Sequence, residues 1–125
     1  MPQPPKPAPS PPFANRELNG EVLLEELSDL RNAQVHQRQL NDCVAGLREL
    51  QGVRASEAKD RLKQLATSRF AGAPAMASLL VRWAGRLKGD VDVPLLLGHF
   101  ERIAMVSAAL SALRRASDRL PKGGR

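Results

Sequence analysis

One cysteine, no tyrosine, a single isoleucine and only four aromatic side chains occur in 125 residues. Each scarcity excludes something. A lone Cys43 cannot close an internal disulfide, which removes the small disulfide-framework folds and fits a reducing compartment. With Phe13, Phe70, Trp83 and Phe100 as the only aromatics, the core has to be built from Leu, Val and Ala. That palette suits helix packing, whereas strands draw on β-branched and aromatic residues. No β-alternation of useful length occurs, and no apolar run approaches the length of a transmembrane helix. No apolar segment follows the N-terminal prolines, so a secretory signal is not expected; the expected location is intracellular, cytoplasmic or nuclear.

Catalytic and metal-binding patterns are equally scarce. The soft ligands are His36, Cys43 and His99, with no CxxC or HExxH spacing, so no metal and no cofactor is expected. Serines lie in helical context and none occupies a Gly-x-Ser-x-Gly elbow. Glycines form no phosphate-cradling loop. Cys43 follows Asp42 and reads as a buried thiol, not an activated nucleophile. His36 reads as a solvated residue of a polar stretch. The pair Glu25-Glu26 reads as a solvated helix face, and Asp90 with Asp92 as capping. Taken together, these features predict a protein that is not an enzyme.

What remains is helical. Seven of the ten prolines fall in residues 1–12. Proline fixes φ and removes a donor, so residues 1–14 are expected to be a disordered or polyproline-II tail. Its PxxP spacings match what SH3-type grooves bind, but so proline-rich a tract matches them by chance, and a spacer is expected. The helical domain is expected over residues 15–120, and a flexible basic tail over 121–125. A first helix capped by Asn15 or Asn19 carries Leu23, Leu27 and Leu30. Its period resumes at Leu40, Val44 and Leu47 after a polar stretch, which predicts one long arm over 21–51. Gly52 should break it. Ser56 is a cap for the next helix, Pro74 opens another, and Asp92 caps a last one with a stripe through Phe100, Ile103, Leu110 and Leu113. The expected fold is an all-α antiparallel bundle of three to four helices, or a helical hairpin with coiled-coil character. The first and last helices are expected to outreach the middle ones, leaving surface for another chain.

Charge is unevenly placed. Residues 1–62 carry 8 basic and 9 acidic side chains, and residues 63–125 carry 11 and 4, so the net charge of +6 belongs to the second half. Arg82 and Arg86 share one helix face, Arg115 and Arg119 repeat the spacing, and Lys122 extends the charge. Trp83, in a Leu/Met stripe beside these arginines, reads as core, or as an anchor for a partner. The leading expectation is a small interaction factor: an adaptor, assembly subunit or chaperone-like protein. It would meet a protein partner or its own copy through a seam of Leu23, Leu27, Leu30, Leu40, Val44, Leu47, Phe100, Ile103, Leu110 and Leu113. The alternative is a basic bundle that binds nucleic acid without sequence specificity through Arg82, Arg86, Arg115, Arg119 and Lys122.

Overall fold

The computed structural model describes residues 19–119, which form five helices and no strand among the described residues. The tails at 1–14 and 121–125, with Lys122, lie outside them. The helices are α1 (Gly20–Asn32), α2 (Gln37–Arg48), α3 (Ala55–Thr67), α4 (Pro74–Arg86) and α5 (Asp92–Arg119). The all-α class is as the composition predicts, but the count is five, not three to four.

The extra helix comes from a break in the expected long arm. Gln34 adopts φ +62°. The N–H of Ala33 returns to Asp29 O and that of Val35 to Leu30 O, which closes α1. Gln39 Oε1 then accepts the His36 N–H at 2.9 Å and opens α2. The physical reason lies in burial. A continuous helix over 21–51 would be about 46 Å long. It could not bring Leu27 and Leu30 into the same core as Leu40, Val44 and Leu47. Folded back, all five are buried.

Other boundaries follow local chemistry. Asn19 Oδ1 accepts the Val22 N–H at 2.9 Å and caps α1. Gly52 takes φ +77°, a left-handed conformation that glycine adopts without steric cost, between α2 and α3. Pro74 is the first residue of α4, where its missing N–H removes no helical bond. Two caps differ from expectation. The cap position of α3 is Arg54, not Ser56, and it makes no side-chain cap bond. Asp90 Oδ1 serves this end from a distance, accepting the Ala55 N–H at 2.8 Å. Asp92 lies inside the first turn of α5, and its Oδ2 accepts the N–H groups of Lys88 (2.9 Å) and Gly89 (3.0 Å). These carboxylates fasten the α4–α5 connection to α3 and to itself.

Packing is centred on α5. The most extensive contacts join α3 to α4 and α2 to α5, and α1 bridges α5 and α4. Gln37 reaches Ala104 O while Arg48, eleven residues on, meets Glu101, so α2 runs against α5. Glu26 meets His99, and Arg31 shares a groove with Ser107 and Ser111, so α1 runs with α5. The first and fifth helices therefore point the same way. Trp83, Leu62, Met76, Leu80 and Ile103 are fully enclosed at its centre. Each such side chain contributes roughly 1.5–3 kcal/mol relative to exposure.

The body ends before α5 does. From Val93 to Ser107 one face of α5 is buried, whereas Ala108 to Arg119 are exposed apart from half-buried Ser111. These last residues extend about 18 Å beyond the packed region. Ala, Leu and Arg dominate them, and all three sustain a helix without tertiary support. Within the 28 residues of α5 an 18-residue window has mean hydropathy 1.3, enough by length and composition to cross a membrane, and 44% of that window is buried inside the protein.

Candidate functional site

The expected interaction seam divides in two. Leu27, Leu30, Leu40, Val44, Leu47, Phe100 and Ile103 are buried within the chain's own core, and Leu23 is half-buried against it. These residues are occupied internally, because α1, α2 and the first half of α5 face one another. Leu110 and Leu113 are different: they remain 39% and 66% exposed, and Met105 is 63% exposed. At 100° per residue, Met105, Ala109, Ala112, Leu113 and Ala116 share one side of α5, roughly opposite its core face. The direction that faces the core earlier in the helix continues as Ser107, Ser111, Arg114 and Asp118. The apolar side of the distal half is thus a separate face of α5 and not a prolongation of the buried one.

The basic residues also fall into two groups. Arg114, Arg115 and Arg119 are exposed on the distal half of α5. Arg82 and Arg86 lie on α4, and the Arg86 guanidinium stands over the Trp83 ring at 5.1 Å, a cation–π contact. Trp83 meets the His99 ring edge-on at 5.6 Å. Arg115 is sixteen residues further along α5, about 24 Å away along the axis. The predicted basic residues therefore sit on two different helices, and exposed Arg102 lies on α5 between the level of His99 and Arg115.

Beneath Arg86 lies a buried polar cluster. Glu26 Oε2 accepts the Trp83 indole N–H at 2.9 Å, and Glu26 Oε1 accepts from His99 Nε2 at 2.6 Å. Exposure is 4% for Glu26, 0% for Trp83 and 1% for His99. His99 also meets Phe100 edge-on at 5.8 Å. Glu26 is thus no solvated residue; of the Glu25-Glu26 pair only Glu25 is exposed. A usable sequence signal exists: Glu26 sits three after Leu23 and four before Leu30, on the seam itself, and His99 sits likewise between Leu96 and Ile103. The carboxylate has both oxygens engaged, and burial of all three side chains keeps a substrate away from them. Their arrangement joins α1, α4 and α5 in one hydrogen-bonded knot.

Other chemistry is confined. Among the described residues no group of three His, Cys, Asp or Glu side chains could hold a metal ion. His36 is exposed at the start of α2. Burial, reinforced by Asp42 and opposed by Arg69, pushes the Cys43 thiol up from 9.0 to about 12. The thiolate needed for attack is then scarce, so disulfide-reagent labelling of the folded protein at pH 8 should be at least about a thousandfold slower than in denaturant. Fast native labelling would contradict the buried placement. The sign of the pH effect follows: between pH 9.0 and about 12 the unfolded thiol ionises while the folded one does not, so stability falls as pH rises through that window.

Two open grooves flank α5. One of about 390 Å³ lies against α2, lined by Asn41, Val44, Arg48, Glu101, Ala104 and Met105. The other, about 540 Å³, lies where the α1–α2 turn meets the start of the projecting half, and Arg31 and Arg114 line it together with Ser107 and Ser111. Gln37 borders it too, donating from Nε2 to Ala104 O and Asn41 Oδ1. Its Oε1 is buried without a partner among the described residues. Compared with known protein families, with curated proteins and with solved structures, the chain has no match in any of the three.

Proposed function

We propose that this chain is a small non-enzymatic interaction factor, an adaptor or assembly subunit, whose docking element is the distal half of α5. The observation that carries this reading is the exposure of Leu110 and Leu113 on a helix that has already left its own core. Scattered surface leucines are ordinary, but here Leu113 shares a helical strip with Met105 and three alanines, and Leu110 lies one turn back and about 60° around the helix from it. Covering such a strip with a partner helix would contribute roughly 1.5–3 kcal/mol for each leucine buried. Helix-in-groove and helix-on-helix recognition use anchors at this i, i+3 spacing.

Nucleic acid fits less well. The Arg82–Arg86 pair is remote from Arg114, Arg115 and Arg119, and Arg86 is engaged with Trp83. Three arginines on the distal half of α5, joined by Arg31 across a groove, offer few phosphate contacts.

The test is affinity isolation from the native host with the wild-type chain and with Leu110→Asp/Leu113→Asp as baits. The expected result is a specific partner, or a second copy, retained by the first and lost by the second, while circular dichroism shows equal helix content. Identical captured sets would remove the distal half of α5 as the docking element.

A further inference from the structure

We infer that the groove between the α1–α2 turn and the start of the projecting half of α5 is a binding site for a phosphate monoester. Its lining joins Arg31 at the end of α1, His36 and Gln37 at the start of α2, and Ser107, Ser111 and Arg114 on α5. No Asp or Glu lines it among the described residues; Asp118 follows one turn past Arg114 and lies outside it. Neither arginine enters an ion pair among the described residues. Arg31 is half-buried, so its charge is partly withdrawn from water with nothing set against it. Ser107 is a second, independent sign. It is only 6% exposed, and its hydroxyl makes no hydrogen bond among the described residues. Helical serines and threonines can bond back to the carbonyl four residues earlier, as Thr67 does to Lys63 O and Ser68 to Gln64 O. Ser107 does not, and it lines the groove instead.

The donor set selects the ligand. Two guanidinium groups bring two positive charges and the fork geometry that suits phosphate and carboxylate oxygens. Two serine hydroxyls add neutral donors. The first turn of α2 adds the positive end of a helix, where the Gln37 and Arg38 N–H groups have no backbone partner among the described residues. A carboxylate spreads one charge over two oxygens, and each phosphodiester of a nucleic acid also carries one. A phosphate monoester carries about −1.5 to −2 near neutral pH on three strong acceptor oxygens, which matches two arginines and two hydroxyls better. The groove is already formed in the free chain: Gln37 Nε2 donates to Ala104 O at 2.9 Å, tying the start of α2 to α5. Gln37 Oε1 is enclosed, so this acceptor does not confront an anion. A volume of about 540 Å³ exceeds that of a phosphoryl group and lies in the range of small-molecule sites. Gln34 and Val35 line the remainder, beside the organic part of the ester. A soluble ester and the headgroup of a monoester lipid offer this same chemistry.

The test follows the amide resonances of the full chain during titration with glycerol 3-phosphate at constant ionic strength. A second arm measures co-sedimentation with phosphatidylcholine vesicles that contain phosphatidic acid. The expected result is a saturable response centred on residues 31–37 and 107–114. Arg31→Gln/Arg114→Gln should weaken binding about tenfold for each arginine lost, and Ser107→Ala about two- to tenfold. Arg82→Gln/Arg119→Gln removes the same charge away from the groove and should bind within about twofold of wild type. Circular dichroism should be unchanged in all three, since none removes a core contact. Glycerol 3-phosphate binding without vesicle retention assigns a soluble ester; vesicle retention lost in the Arg31/Arg114 variant assigns the lipid headgroup. No saturable response to either probe overturns the inference. So does a response that sodium chloride alone reproduces, undiminished binding by either groove variant, or an equal loss in the Arg82/Arg119 control. These outcomes are independent of partner capture through Leu110 and Leu113, which stands or falls by its own test.

Discussion

Glu26→Ala is expected to destabilise the fold by about 2–6 kcal/mol, from about 1–3 kcal/mol for each of the two buried donors left unsatisfied. Small domains have only about 5–15 kcal/mol in total, so this variant should be partly unfolded at ambient temperature or melt well below wild type. The cause is what stays behind. Without the carboxylate, the Trp83 indole N–H and the His99 ring N–H are left inside a core whose other lining is Leu, Met and Phe. Glu26→Gln separates charge from hydrogen bonding. Its amide oxygen can still accept from one of the two donors while its NH₂ cannot accept from the other, so the loss should be smaller than for alanine. Replacing the cluster together as Glu26→Leu/His99→Leu/Trp83→Phe removes every unmatched polar group. Such exchanges are often neutral or stabilising by about 1–4 kcal/mol when packing is kept. Urea unfolding followed by far-UV circular dichroism is the suitable readout, since Trp83 fluorescence is altered by the substitutions themselves. If Glu26→Ala cost less than about 1 kcal/mol, no more than a typical surface change, the buried cluster as described could not stand.

This cluster also shows where sequence reading stops. Helical period places Leu27, Leu30, Leu40, Val44 and Leu47 on buried faces, and the structure buries all five. Period treats Glu26 and His99 as members of those same faces, but a charged residue beside Glu25 invites a solvated reading. The partners that make burial tolerable lie 57 and 73 residues away, and no local pattern announces them. The same holds for Asp90, whose cap on Ala55 spans 35 residues while Ser56 offers a nearer and unused candidate. The break at Gln34 was hidden for a different reason. The polar run from Arg31 to Gln39 is compatible with an exposed helix or with a turn, and only the gain from folding Leu40 and Leu47 back onto Leu27 and Leu30 decides between them. The length of α5 was legible, but its projection was not: the sequence reads residues 21–51 as an arm as long as α5, and only the break at Gln34 leaves α1 and α2, with 13 and 12 residues, too short to cover its 28. Which of its leucines lie beyond the body depends on where the α1–α2 turn sits, and that the period does not say.

The same substitution at two points of α5 should therefore give opposite results. Ile103 is fully buried. Ile103→Asp places a carboxylate in an apolar site without a partner, costing several kcal/mol even if the group takes up a proton, which is comparable to the whole stability of a domain this size. The expected outcome is loss of cooperative unfolding and of the soluble folded form. Leu113, ten residues on, is 66% exposed. Leu113→Asp should change stability by no more than about 0.5 kcal/mol plus a few tenths for helix propensity, leaving the thermal midpoint within a few degrees of wild type. Its effect should appear in assembly instead. Losing one leucine's burial, roughly 1.5–3 kcal/mol, weakens the complex by a factor of about 10 to 100. Thermal melts and light scattering on the two variants distinguish the halves of the helix. A Leu113→Asp chain that fails to fold would place that residue inside the body. A Leu113→Asp chain that folds and assembles like wild type would leave the apolar strip without a role in docking. The contrast matters because the sequence reads both residues as one stripe, whereas Ile103 lies on the buried face of α5 and Leu113 on a separate, exposed one.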